Sequence, residues 1–174
     1  EQGRPGRVTS GTKHNMLPQS DGLFRSVAER VAGEYPEIEF RSLIIDDLAH
    51  HLTARPDEFD VVVMPNLYGD VLSDDAAGLV GGLGLAPSGC YGDDYAYFES
   101  AHGTAPDIAG RNVINPTATL LSAAMMLEHL GFPGAAERLD SALTRIYADG
   151  RVLTPDQGGS ATTTEFCEAV AALL

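Results

Sequence analysis

The chain has 174 residues, a formal net charge of −14 and an apolar content of 44%. That content excludes a disordered chain, and no run of about 18 apolar residues is present to form a membrane-spanning helix. The acidic excess argues against a nucleic-acid partner and against an anionic membrane surface, since both need a basic face. Residues 1–80 and 81–174 each net −7, so the charge is not gathered into a tail. Two cysteines, Cys90 and Cys167, make no framework of bridges, which fits a reducing, cytoplasmic setting. The opening Glu1–Arg7 stretch, without an apolar leader, reads as the interior of a longer chain or a processed end.

Helix and strand alternate along the first half. Val8-Thr9-Ser10 is a short strand. Ser20 or Asp21 can cap a helix reaching about Tyr35, with Leu23, Phe24, Val27 and Val31 on one face. Pro36 stops it. Ile38–Ile45 reads as a strand and Asp46–Ala54 as a helix ended by Pro56. Asp60–Met64 reads as a buried strand. Asp70–Val80 reads as a helix with Val71, Leu72, Ala76, Leu79 and Val80 inward.

Residues 81–115 are rich in Gly, Pro, Asp and Ser, with one short strand near Tyr97-Phe98. Apolar and aromatic punctuation marks them as a functional loop region. Three helices follow. The first has Asn115 as N-cap, Pro116 at its first position and Gly131 as C-cap. The second spans about Gly134–Ala148. The third opens on the capping box Thr162-x-x-Glu165 and runs to the C-terminus. This alternation predicts a layered α/β architecture. Three C-terminal helices exceed what so small a sheet can cover, so part of the sheet is expected from another chain or further sequence.

Three constellations can carry chemistry. Asp70 and Asp74 stand at i, i+4 on one helix face, where like charges repel unless a cation compensates. Mg²⁺ or Mn²⁺ favours carboxylates together with substrate oxygens and water, and Asp46 or Asp47 can add a third carboxylate. The same spacing also suits a solvated helix face. The run from His102 to Gly110 offers glycine for close backbone approach to a flat ligand, and Asp107 as an acceptor for ribose hydroxyls. An ordinary surface loop would read the same way. No GxGxxG fingerprint follows a strand, so a Rossmann site is not supported. Lys13 is the only lysine beside ten arginines. Arginine cannot release its proton, so a retained lysine points to proton transfer, although a solvated loop lysine is the common alternative.

Together, Asn66–Asp74, Gly81–Pro87, Phe98–Gly110 and Asn115-Pro116 with Leu121–Leu127 resemble the metal-dependent β-decarboxylating dehydrogenases. That family comprises isocitrate, homoisocitrate, 3-isopropylmalate and tartrate dehydrogenases. The wording of residues 102–110 and 115–127 looks most like NAD-dependent isocitrate dehydrogenases, with homoisocitrate close behind. The resemblance covers nearly all of residues 7–174.

The resemblance implies an isocitrate/isopropylmalate dehydrogenase-like three-layer α/β/α fold, of which only the C-terminal half is present. Residues 1–80 would belong to the small dimerisation and metal-site domain and residues 81–174 to the large cofactor-binding domain. It implies Asp46, Asp70 and Asp74 as metal ligands, with Asp46 reaching across from a neighbouring subunit. Lys13 becomes the catalytic lysine, also donated across a homodimer, and Asn15 contacts substrate or cofactor. Asp70 serves catalysis through the metal. Glu99, His102, Gly103, Thr104, Ala105, Asp107, Ile108 and Asn115 would hold NAD, with Asp107 selecting it over NADP. As the family works, the metal chelates the substrate hydroxyl and α-carboxylate, and Lys13 helps remove the hydroxyl proton as hydride passes to NAD⁺. CO₂ then leaves an enolate that the metal stabilises. Ser100 and His14 depart from the family pattern without removing a required group. Family members are about twice as long, and the absent half carries the substrate-binding arginines and serine and the tyrosine that protonates the product. The alternative expectation is a non-catalytic nucleotide- or metal-binding subunit, or a truncated paralogue.

Overall fold

The computed structural model describes residues 4–174, which divide into two compact units, one running to Ala76 and the other spanning Ala77–Leu174.

The first unit is built on a three-stranded parallel sheet in the order β2-β1-β3. Its strands are β1 (Arg7–Thr12), β2 (Glu39–Ile44) and β3 (Val61–Val63). Helix α1 (Ser20–Ala32) crosses from β1 to β2, and α2 (Ile45–Ala54) follows β2 directly. Helix α3 (Asn66–Leu79) follows β3. Parallel strands need such crossovers, which place helices on the sheet faces. Register pairs Thr9 with both Arg41 and Val62, so these side chains share a face.

Over that face, α2 seats Leu48, which is fully buried. Gly11 makes the approach possible: a Cβ there would run into the Leu48 side chain and come within 3.1 Å of Met64. The opposite face meets α1, but Leu23 is 63% exposed and Val31 43%. A trough of about 690 Å³ runs between them, lined by Val8, Phe24, Val27, Ile38, Phe40 and Val63.

This departs from the sequence expectation in three ways. The α1 stripe has no cover among the described residues. The strand expected to be buried at Asp60–Met64 is three residues long, with Val61 and Val63 both exposed. In α3, Leu72 is buried, whereas Val71 and Leu79 are exposed and Val80 beyond its end is exposed too. Each expectation took the apolar pattern as a packed face, and the pattern is there without its partner.

Helix α1 also ends at Ala32, short of Tyr35, because Gly33 closes it with backbone bonds. Its N-cap position is Gln19, without a side-chain cap, so neither Ser20 nor Asp21 caps it.

The second unit contains a segment expected to be largely loop. Two antiparallel strands occupy it, β4 (Pro87–Tyr91) and β5 (Ala96–Ser100), with Gly89 opposite Phe98. Their glycines and exposed tyrosines hide the period-2 signal. Helices α4 (Thr117–His129), α5 (Pro133–Asp149) and α6 (Thr163–Ala171) complete the unit. Ser122 ties α4 to the strands: its hydroxyl accepts from Ser88 N and lies 2.6 Å from Glu99 O.

The core forms between helices. Along α5, Ala136, Leu139, Ala142, Leu143 and Ile146 recur at helical spacing and meet Phe166 and Val170 of α6. Burying Phe166 completely is worth about 1.5–3 kcal/mol. Pro133 starts α5, and Gly150 ends it at φ +67°, a left-handed conformation that favours glycine. The capping box forms as expected, with Thr162 Oγ1 accepting from Glu165 N and Glu165 accepting from Thr162 N. No helix among the described residues is long and apolar enough to cross a membrane.

Candidate active site

In the first unit the chemistry-bearing residues gather where the parallel strands end. Lys13 follows β1 immediately, Asp46 is the second residue past β2, and α3 with Asp70 and Asp74 begins three residues past β3. The carboxyl edge of a parallel sheet is where such folds bind ligands.

The Lys13 ammonium pairs with the Asp46 carboxylate, and that hydrogen bond holds Asp46 below the usual carboxylate range. The Lys13 main chain is fixed as well. Its carbonyl accepts from Met16 N and Leu17 N, both at 2.9 Å. Its N–H donates to Asp21 Oδ2 at 2.7 Å. Asp21 is 6% exposed. Burial pushes its carboxyl up, but the Lys13 N–H and the Tyr68 and Ser20 hydroxyls outweigh this and hold it below its ordinary value. Beside them, Arg25 donates to His14 Nε2 at 3.0 Å, which leaves His14 Nδ1 to donate to Thr12 at 2.9 Å.

Asp70 and Asp74 are exposed on α3 and make no salt bridge among the described residues. Two uncompensated carboxylates one turn apart are a fitting donor set for a hard divalent cation. Asp46 stands with Lys13, and no group of three or more metal-ligating side chains converges among the described residues. Asn15 is exposed in the turn after Lys13.

The second unit has a pocket of about 390 Å³ lined by Gly84, His102, Gly103, Ala105, Ile108 and Asn115, together with Leu83, Val113, Ile114 and Asp156. It fits a flat nucleoside on two counts. His102 Nδ1 lies 2.9 Å from the Gly103 carbonyl, while its Nε2 is buried without a partner. A Cβ on Gly84 would lie 3.1 Å from Asp156 Oδ2 and 3.2 Å from Asn115 Cβ, so glycine keeps that wall open. Ala105 sits at φ +43°, a strained conformation for a residue with a Cβ, where the chain turns into the single 3₁₀ turn Pro106–Ile108.

Asn115 is the buried anchor. Its Oδ1 accepts from Thr117 N at 3.0 Å, and its Nδ2 donates to Asp156 Oδ2 at 3.0 Å and to the Tyr147 hydroxyl at 3.2 Å. The helix therefore starts one residue later than expected, with Pro116 in the N-cap position and Leu130 rather than Gly131 at the C-cap. Burial raises the Asp156 carboxyl, but hydrogen bonds from Thr154, Asn115 and Gln157 carry it below its usual value.

Glu99, Thr104 and Asp107 are exposed and stand outside this lining. Sequence reasoning missed Asp21 and Asp156. For Asp156 the turn-forming Thr154-Pro155-Asp156 followed by Gly158-Gly159 was an available signal; for Asp21 there was none beyond its place at the start of a helix eight residues after a lysine.

Comparison with known proteins fits this geometry. The sequence model described as isocitrate/isopropylmalate dehydrogenase matches residues 1–170. An NAD-type isocitrate dehydrogenase catalytic subunit of Arabidopsis thaliana is 52% identical over 165 residues, covering 94% of this chain and 44% of the relative. The isocitrate/homoisocitrate dehydrogenase of Thermus thermophilus is 51% identical, covering 97% of this chain and 51% of the relative. The crystal structure of isocitrate dehydrogenase from Methylococcus capsulatus superposes with a TM-score of 0.93 at 44% identity, covering 96% of this chain and 50% of that one. The chain thus spans about half the length of the curated relatives it matches.

The class these findings define is an α/β dehydrogenase. Within it, the chain belongs to the isocitrate/isopropylmalate dehydrogenase family.

Proposed function

We propose that this chain supplies the proton-transfer and cofactor-binding half of an NAD-dependent, Mg²⁺- or Mn²⁺-dependent oxidative decarboxylase. Its substrate is a 2-hydroxy acid bearing a β-carboxylate, isocitrate or homoisocitrate before 3-isopropylmalate or tartrate. Residues 1–80 serve as part of the small dimerisation domain and residues 81–174 as part of the large cofactor domain. The assembly is a homodimer or a complex with a chain supplying the N-terminal half. The observation that carries the reading is the pairing of the only lysine, Lys13, with Asp46 at the carboxyl edge of the sheet that also carries Asp70 and Asp74.

When bound, the cation supplies Lewis acidity at the substrate's α-oxygen and NAD⁺ supplies the hydride acceptor. The chain's own residues do the rest. Lys13 exchanges the hydroxyl proton at Nζ, with Asp46 holding the side chain in reach. Asp70 and Asp74 hold the cation. His102, Ala105, Ile108 and Asn115 clasp the adenosine end of the cofactor, and Asp107 accepts from its ribose hydroxyls and repels a 2′-phosphate.

A second reading, a nucleotide- and metal-binding subunit without turnover of its own, draws on the half-length match to its relatives. Turnover assays with Mg²⁺, NAD⁺ and each candidate hydroxy acid separate the two. In the assembled enzyme, Lys13→Arg keeps the charge and removes the exchangeable neutral form. Retained turnover in that variant overturns the role given to Lys13.

A further inference from the structure

Asp21 is a carboxylate buried to 6% exposure in the first turn of α1, and it neither caps that helix nor joins a salt bridge among the described residues. Burying a carboxylate is unfavourable unless hydrogen bonds replace its water. Two hydrogen bonds replace it. Oδ2 accepts the Lys13 main-chain N–H at 2.7 Å, eight residues back. Oδ1 lies 3.2 Å from the Ser20 hydroxyl. The Tyr68 hydroxyl, in the first turn of α3, helps lower the Asp21 carboxyl, while burial and Asp21 raise the Tyr68 hydroxyl.

The groups that act on Asp21 belong to unlike elements. Lys13 is the first residue past the central strand, Asp21 opens α1, and Tyr68 lies two residues before Asp70. The intervening loop closes on itself around the same pair, since Lys13 O accepts from Leu17 N and Leu17 O accepts from Asp21 N. One buried carboxylate therefore sets where the Lys13 backbone leaves the sheet.

We propose that Asp21 is a positioning residue: it holds the Lys13 main chain so that the ammonium reaches Asp46 and the substrate proton. This rests on the proton-transfer role given to Lys13. Proton transfer is sensitive to placement, and a displacement of about 1 Å can lower turnover about a hundredfold. Asp21 does not touch substrate or cofactor, so substrate KM and NAD⁺ affinity should change little.

The test uses the assembled enzyme with Asp21→Ala and Asp21→Asn. Asparagine keeps an acceptor for Lys13 N–H; alanine does not. The first readout is amine acylation at Lys13, followed by mass spectrometry of the peptide that contains it, which requires no turnover. Asp21→Ala should raise the Lys13 acylation rate several-fold at fixed pH, and Asp21→Asn should leave it within about twofold of the parent. The second readout is steady-state kinetics scaled to folded protein. Asp21→Ala should lower kcat by about 10- to 100-fold with KM nearly constant, and Asp21→Asn should recover most of that loss.

Equal acylation rates in parent and alanine variant overturn the proposal. So does a fall in kcat that merely follows the folded fraction, or an asparagine variant as impaired as alanine. Lys13→Arg serves as the separate control. If it retains turnover, the role of Lys13 fails, while the acylation data still decide whether Asp21 positions its backbone.

Discussion

Asp156 accepts a hydrogen bond from Asn115 at 3.0 Å across 41 residues of sequence, and both side chains line the same pocket. Asn115 has its carbonyl oxygen committed to Thr117 N, so its amide orientation is set from both ends. Asp156→Ala should remove the shorter of the two hydrogen bonds at the Asn115 amide nitrogen, leaving the one to the Tyr147 hydroxyl. NAD⁺ affinity measured by calorimetry is expected to fall several-fold, with little change in metal affinity. Unchanged NAD⁺ binding removes Asp156 from the cofactor site.

The proposed preference for NAD⁺ rests on Asp107. A carboxylate facing a 2′-phosphate is a like-charge contact, worth several kcal/mol when desolvated and less where water screens it. Asp107 is exposed, so the screened value applies. Asp107→Asn should raise the NADP⁺-to-NAD⁺ ratio of kcat/KM about tenfold, or about 1.4 kcal/mol. Parent enzyme that already uses NADP⁺ as well as NAD⁺ contradicts the assignment.

Gly11 sets how closely α2 approaches the sheet. An added Cβ has to displace Leu48, Ile45 and Met64, and Leu48 is fully buried. Overpacking of this kind costs about 1–3 kcal/mol. Gly11→Ala should lower the urea midpoint accordingly, with an unchanged slope. A midpoint equal to the parent's indicates that the helix can slide outward freely.

The acid side of the stability curve follows from Asp21 and Asp156. Burial raises both carboxyls, but hydrogen bonds to their charged forms outweigh it and hold each below its ordinary value. A depressed folded pKa means the folded state binds fewer protons than the unfolded one. The contribution is therefore full above the unfolded value of about 3.9 and is lost as pH falls through the folded value. Denaturant titrations from pH 6 to pH 2 should show stability declining below about pH 4, and Asp21→Asn should flatten that decline. A variant curve parallel to the parent's in that range shows that Asp21 does not contribute to it.

The sequence made some of this legible and left the rest obscure for physical reasons. Helices α5 and α6 were readable because their signals are local: Gly150 must adopt a positive φ, and Thr162 with Glu165 satisfies two backbone groups within one turn. The strand expected near Tyr97-Phe98 is β5, but its partner β4 was missed, because Gly89, Cys90 and Tyr91 give no alternation when one face lies against α4 and tyrosines crowd the other. The stripe of α1 was legible as one face, but an apolar period shows that a face wants cover, not that it has it.

The site divides the same way. Lys13 stood out through composition, and His102 to Ile108 through resemblance. The tie from Lys13 to Asp21 was invisible, since a side chain reaching back eight residues to a backbone N–H leaves no periodic trace. The turn that holds Asp156 was legible, but its tie to Asn115 was not, because the two are 41 residues apart in sequence.

The uncovered trough beside α1 bears on how these 174 residues behave in the test tube. A sheet with open edges at β2 and β3 among the described residues, and an apolar hollow on one face, is a surface on which chains adhere to one another. Expressed alone, the chain should light up environment-sensitive dyes and sediment as concentration-dependent clusters. Co-expression with a polypeptide that fills the hollow should abolish both, making dye fluorescence a rapid screen for polypeptides that cover it before any assay of turnover is attempted.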